Sequence, residues 1–145
     1  MRGANKIYAV IDTNVLVSTL YSKNGTSNPG IIINQVLEGN IIPLINPIIL
    51  KEYKDVLSRP KFAFPSQLVS DLYDAFVEFG IDTERCPMDS ALFPDKDDMV
   101  FYEVKLTVDD SYLITGNIRH FPMNPLVVTP AQMVEILKEK GFLQP

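Results

Sequence analysis

The chain has one cysteine and one histidine in 145 residues. No internal disulfide can form, so the cross-linked frameworks of small secreted domains are excluded and a cytoplasmic setting is the simplest reading. No Cys/His ligand set exists for zinc. Cys86 reads as a buried small hydrophobe rather than a nucleophile, because only one histidine is present to activate it. No apolar run reaches transmembrane length, so no membrane association is expected. Residues 1–6 lead straight into an apolar run, without the hydrophobic region and cleavage site of a signal peptide. An excess of positive charge is also missing. A net charge of −5 argues against a generally adhesive nucleic-acid binder. It leaves room for an enzyme that meets phosphates through a bound cation, which supplies local positive charge that the total hides. Repeats, low-complexity tracts and interdomain linkers are lacking, so residues 1–145 read as a single domain large enough for a real core. With 46% hydrophobic and 21% charged residues, the composition is that of a globular protein.

What is present is organised around Tyr8-Ala9-Val10-Ile11-Asp12-Thr13-Asn14-Val15-Leu16-Val17. A short apolar run ends on an aspartate. It is too short for a helix and too apolar for a loop, so it reads as a buried parallel strand. A charge there is costly to bury unless paired or bound to a cation. Asp12 therefore belongs at the strand's carboxyl end, where open α/β sheets present ligands.

The rest of the chain alternates. Tyr21 to Asn28 is a polar loop, and Asn28-Pro29 starts a helix that Gly39 stops. Ile41 to Ile45 is a second strand. Asn46-Pro47 opens a helix ended by Arg59-Pro60. Leu68 to Phe79 is an aromatic-rich helix closed by Gly80, its apolar stripe meant either for the core or for an interface. Ile81 to Cys86 is a weak strand or an extended link. The charged loop from Phe93 to Asp98 runs into a helix beginning near Met99. Asp109-Asp110 turns into a strand, Ser111 to Thr115, and Leu126 to Val128 is the last strand. Thr129-Pro130-Ala131-Gln132 is a capping box opening the final helix. This alternation predicts an α/β fold with a mainly parallel central sheet and helices on both faces. Right-handed crossovers bring the strands' carboxyl ends to one edge, which Asp12 and Asn117 can share.

Four places offer oxygen ligands: Asp12, Glu52, the cluster Asp95/Asp97/Asp98, and Asn117. Any one acid, taken alone, reads as a solvated surface charge, and Asp98 at a helix start also reads as a cap. Asp12 differs because apolar residues precede it. If Asp12, Glu52 and Asp98 converge, a cation is required. Two carboxylates about 4 Å apart repel by roughly 4 kcal/mol at an effective dielectric near 20, against a domain stability of roughly 5–15 kcal/mol. Hard oxygen donors select Mg²⁺ or Mn²⁺, and such an ion makes a coordinated water a nucleophile toward a phosphodiester.

Five segments in order carry a resemblance. They are Val10-Ile11-Asp12-Thr13-Asn14-Val15-Leu16; Leu50-Lys51-Glu52-Tyr53 with Val56 to Pro60; Asp95 to Phe101; Tyr112 to Asn117 with His120-Phe121-Pro122; and Val127 to Pro130. The chain resembles the PIN-domain family of metal-dependent nucleases from Ile7 to about Leu137. Within that family it looks most like the bacterial group described as toxin components of toxin–antitoxin systems. The resemblance implies a three-layer α/β/α, Rossmann-like fold. It puts the family's first acid on Asp12, its second on Glu52 and its third on Asp98, with Asp97 as the alternative. The fourth falls on Asn117, which departs from the pattern. An amide oxygen still ligates but brings no charge, so metal binding should weaken toward one ion rather than two. Thr13 and Asn14 would support the ligands or touch phosphate, and Thr115 would hydrogen-bond near Asn117. The resemblance implies a Mg²⁺- or Mn²⁺-dependent endoribonuclease that leaves a 5′-phosphate on its RNA. It also implies an antitoxin partner that blocks the site with a basic side chain, and a homodimer or larger homo-oligomer.

His120 reads as structural, as a phosphate contact or as a general acid. Arg119, Arg59, Lys51 and Lys54 are available to the substrate backbone, although each alone reads as a solvated charge. A second function class is a PIN-fold binding or assembly module with weak or lost activity, motivated by Asn117. A haloacid-dehalogenase-like phosphatase needs a second aspartate two residues after the first, where Asn14 stands. A phospho-accepting receiver wants a late lysine, and residues 116–125 contain none.

Overall fold

The computed structural model describes residues 6–22 and 26–145. The reading of the extreme N-terminus, and the middle of the polar stretch after Tyr21, fall outside the described residues. β1 (Ile7–Ile11), β2 (Ile41–Ile45), β3 (Ile81–Asp82), β4 (Tyr112–Ile114) and β5 (Val127–Val128) form one sheet in the order β3-β2-β1-β4-β5. Every pairing is parallel, with Ile7 opposite Ile41, Ile11 opposite Ile114 and Leu113 opposite Val127. Among the described residues, six α-helices cover the sheet: α1 (Thr13–Tyr21), α2 (Asn28–Leu37), α3 (Pro47–Leu57), α4 (Ser66–Phe79), α5 (Met99–Thr107) and α6 (Pro130–Glu139). The result is the three-layer α/β/α architecture. Burial on both faces explains why β1 and β2 read as unbroken apolar runs. Ala9, Val10, Ile11, Leu113 and Ile114 are wholly enclosed. No helix among the described residues is long and apolar enough to cross a membrane.

The chain leaves β1 for β2 and β3 on one side, then returns to the other side for β4 and β5. The order thus reverses between β1 and β4, and a crevice opens there beyond the carboxyl ends of both strands. Local chemistry sets the helix starts around it. Asn46 Oδ1 accepts the Ile49 N–H at 2.8 Å, and Thr129 and Gln132 form the reciprocal capping box. For α2 the cap is Ser27, whose hydroxyl accepts the Gly30 N–H at 3.1 Å. The helix therefore begins one residue before the Asn-Pro signal suggests.

Two features depart from the sequence pattern. Thr13–Tyr21 is helical, although Val15-Leu16-Val17 continues the apolar run of the strand. The break comes at Asp12, which keeps extended dihedrals while its carbonyl accepts the Val15 N–H at 3.0 Å. Cys86 is exposed, not buried. It lies on the irregular segment after β3, where the Cys86 N–H donates to the Glu103 carbonyl of α5 at 3.1 Å. The aromatic helix divides between its two readings. Val69, Leu72 and Phe76 enter the core, while Leu68 and Val77 stay about half exposed (50% and 48%).

Candidate active site

Asp12 stands at the junction of β1 and α1 and is 5% exposed. Its Oδ2 accepts hydrogen bonds from the Thr115 hydroxyl at 2.8 Å and the Asn14 amide at 2.9 Å. Burial raises its pKa; these two donors and the backbone N–H groups of Thr13 and Asn14 oppose the rise. Thr115 follows β4, so the bond ties the carboxyl ends of the two strands that flank the crevice. The same hydroxyl accepts the Asn117 N–H at 3.0 Å, and Asn14 Oδ1 accepts the Gly116 N–H at 3.0 Å. A Cβ at Gly116 would meet Asn14 Oδ1 at 3.3 Å, a tight contact that would push the Asn14 side chain by a few tenths of an ångström.

Glu52 comes from α3 and is partly buried. Desolvation raises its pKa first, then Asp97 and Asp12; Arg59 and the Thr13 hydroxyl pull it back. Its neighbour Tyr53 is almost fully enclosed and donates its hydroxyl to the Ile11 carbonyl at 2.5 Å. That bond fastens α3 to the end of β1, one residue from each acid. Burial pushes the Tyr53 phenol well above its usual range, so it remains a donor. On sequence, Tyr53 belongs with the apolar face of its helix, and no local signal separates it from a packing residue.

The adjacent pair Asp97 and Asp98 faces two ways. Asp97 is exposed and shares a cavity of about 290 Å³ with Glu52, Lys51, Arg85 and Lys96. Asp98 turns toward Asp12 and His120. Its pKa is raised to about 6, by burial first and then by Asp12 and Asp95, with His120 opposing. His120 Nδ1 lies 3.3 Å from Asp98 Oδ2. Asp98 is the residue just before α5, yet its side chain caps nothing there. Asp95 caps the short turn Lys96–Asp98 that precedes α5, its Oδ1 accepting the Asp97 N–H at 2.9 Å. Asn117 is exposed and lines a cavity of about 340 Å³ with Arg119, His120 and Thr129. Its link to Asp12 runs through Thr115.

Glu52 and Asp98 thus each lie near enough to Asp12 to feel its charge. Among the described residues, no three acidic, histidine or cysteine side chains close on a common point as a finished ion cage. The donor set still fits a hard divalent cation. Among the described residues, Asp98 Oδ2 and the Thr13 hydroxyl are buried without a well-formed hydrogen bond, their polar neighbours being His120 and Glu52. Glu52 and Asp98 each carry a pKa raised partly by Asp12, a cost that nearby positive charge removes. Mg²⁺ takes only one or two carboxylates and keeps several waters, so an open set of oxygens suits it.

No curated protein and no solved structure matches the chain. A family model described as PIN domain matches residues 8–119, a stretch that includes β1 with Asp12, Glu52 on α3, Asp97 and Asp98, and Thr115 and Asn117. PIN domains are typically nucleases that bind nucleic acid and generally use divalent metal ions. Matched over most of its length and folded as a parallel sheet with an acidic crevice at its switch point, the chain belongs to the PIN-domain family.

Proposed function

We propose that the chain is a Mg²⁺- or Mn²⁺-dependent endoribonuclease in which Asp12, Glu52 and Asp98 are the working carboxylates. One observation carries the reading. Glu52 and Asp98 each feel the charge of Asp12 at the end of β1, and all three have raised pKa values. A fold keeps such an arrangement when a bound ligand offsets its cost. When bound, the ion supplies positive charge to the phosphate and lowers the pKa of a coordinated water.

The remaining roles follow from the side chains. Thr115 and Asn14 hold the Asp12 carboxylate in one orientation. Asn117 stands for the fourth acid without its charge, which favours one ion over two. His120, anchored on Asp98, presents its other ring nitrogen to a phosphate oxygen. Water adds to phosphorus and the P–O3′ bond breaks. The products carry a 5′-phosphate and a 3′-hydroxyl, the departing O3′ having taken up a proton.

The cellular role proposed is that of a cytoplasmic toxin held in check by an antitoxin. It rests on the likeness of the five sequence segments, and a homodimer through the exposed apolar residues of α4 accompanies it. A second reading, a PIN-fold binding module, draws on the exposed Asn117 and the open ligand set. Incubation of a mixed RNA pool with Mn²⁺, Mg²⁺ or chelator, using the parent and Asp98→Asn, separates them. Cutting that needs metal and vanishes in the variant is the expected result. RNA binding with no cutting in any arm would favour the binding module.

A further inference from the structure

A second concavity, of about 450 Å³, lies beside the acidic crevice, between the end of α3, the turn Pro60–Phe62 and the first half of α4. Its size is that of a small-ligand pocket. Leu57 and Val69 are buried beneath it, and Phe64 and Tyr73 stand on its walls. Phe64 is stacked on Phe62, with ring centres 5.2 Å apart and planes within 8°. Ala63, between them, holds a left-handed φ of 52°, a conformation that non-glycine residues rarely adopt. Tyr21 meets the Phe64 ring edge-on, with centres 5.1 Å apart, so Phe62 and Tyr21 hold that ring in place where it lines the pocket with Tyr73.

Lys54 and Arg59 edge the same pocket. Neither belongs to an ion pair among the described residues. In a chain of net charge −5, these two cations are local positive charge on a pocket whose lining includes one acid, Asp74. Arg59 also reaches toward the acidic site, since it favours the ionised form of Glu52. An anion on Arg59 would therefore sit between the pocket and the carboxylates. An apolar peptide anchor gains nothing from two unpaired cations at its rim. A nucleotide uses both features: its base stacks on an aromatic wall, and its phosphate takes the guanidinium.

We propose that this pocket is a nucleotide subsite of the RNA-binding surface, holding one base of the substrate strand against Phe64 and Tyr73 while Arg59 and Lys54 hold its phosphate. The inference rests on the reading of the chain as a ribonuclease and adds where the strand runs and where base preference arises. The subsite lies on the Glu52 side of the crevice, at a fixed number of nucleotides from the cut. Ser66, Ser70 and Asp74 line it as well and supply the polar groups that would tell one base from another.

The chain has no tryptophan, so Phe64→Trp introduces a single indole reporter that retains an aromatic wall. Its fluorescence is followed with chelator present, while each of the four nucleoside 5′-monophosphates, a single-stranded oligoribonucleotide and inorganic phosphate is added in turn. Saturable quenching by nucleotides and oligonucleotide, but not by inorganic phosphate, is expected. Adding Arg59→Glu should weaken it about tenfold or more, since a charge-assisted contact is lost. In the cleavage assay, Tyr73→Ala should flatten base preference at one fixed position from the cut while metal dependence persists. A Phe64→Trp protein with native circular dichroism and no quenching by any nucleotide would overturn the proposal. Quenching indifferent to Arg59→Glu would do the same, as would an indole signal that responds only to the protein's own concentration, the mark of a protein-docking face. Nucleotide binding without cleavage would leave the subsite standing and remove the nuclease reading; cleavage without nucleotide binding would do the reverse.

Discussion

Tyr53→Phe isolates the hydrogen bond that fastens α3 to the end of β1. Phenylalanine keeps the ring and its edge-on contact with Phe76, whose centre lies 5.3 Å away. Only the hydroxyl that meets the Ile11 carbonyl is removed. Tyr53 is 1% exposed, so water cannot readily replace the lost donor. A neutral hydrogen bond contributes about 0.5–1.5 kcal/mol net, and a carbonyl left without its partner in a buried place adds to the loss. A destabilisation of about 2 kcal/mol is expected. For a chain of this size that corresponds to a fall in Tm of about 4–8 °C. Urea unfolding should give a lower midpoint with an unchanged slope, because the exposed surface is the same. Glu52 and Asp12 are the next residues along from the two bonded groups, so nuclease activity should fall further than the loss of folded protein explains. A midpoint within about 0.2 kcal/mol of the parent would refute the argument, since it would mean that the hydroxyl has no buried partner to lose.

Thr115→Val keeps the shape at the strand end but removes the hydroxyl shared by Asp12 and the Asn117 N–H; it should cost about 1–3 kcal/mol in urea unfolding, and Thr115→Ser should restore most of it. Glu103, 3% exposed, receives Arg85 Nε at 2.7 Å and the Met88 N–H at 2.9 Å. Glu103→Ala leaves an exposed Arg85 that water can solvate and a Met88 N–H without its partner, so it should destabilise by about 1–3 kcal/mol, and limited proteolysis should then cut first between residues 83 and 92. Asp98→Asn should raise Tm in chelator, because it removes a carboxylate crowded by Asp12 and Asp95. It should also lose the stabilisation that Mg²⁺ gives the parent, which is about 2.7 kcal/mol at 100 times the dissociation constant. A variant less stable than the parent without metal would contradict the electrostatic reading.

The architecture was legible because its signals are local. Short apolar runs mark strands buried on both faces, and Asn-Pro and Thr-Pro pairs mark helix starts. Their alternation limits the sheet to parallel pairing. The helix after Asp12 was not legible, because Val15, Leu16 and Val17 extend the apolar pattern of the strand. Only the backbone turn at Asp12 separates the two elements. Cys86 failed for a related reason: residue type predicts burial only on average, and the segment after β3 runs along the outside.

At the crevice the division is similar. The sequence by itself determined that Asp12 ends a buried strand, and that Glu52, the Asp97/Asp98 pair and Asn117 follow in order on later elements. Adjacent residues cannot be told apart by spacing. The tertiary structure alone decided that Asp97 faces Glu52 while Asp98 faces Asp12 and His120. It alone brought the Thr115 hydroxyl to Asp12, 103 positions away, and the Tyr53 hydroxyl to Ile11, 42 positions away. It also set Arg59 between Glu52 and an aromatic pocket. Periodicity reports which way a side chain leaves its own element. Which distant group it meets is decided when the sheet order reverses and packing closes the space between elements.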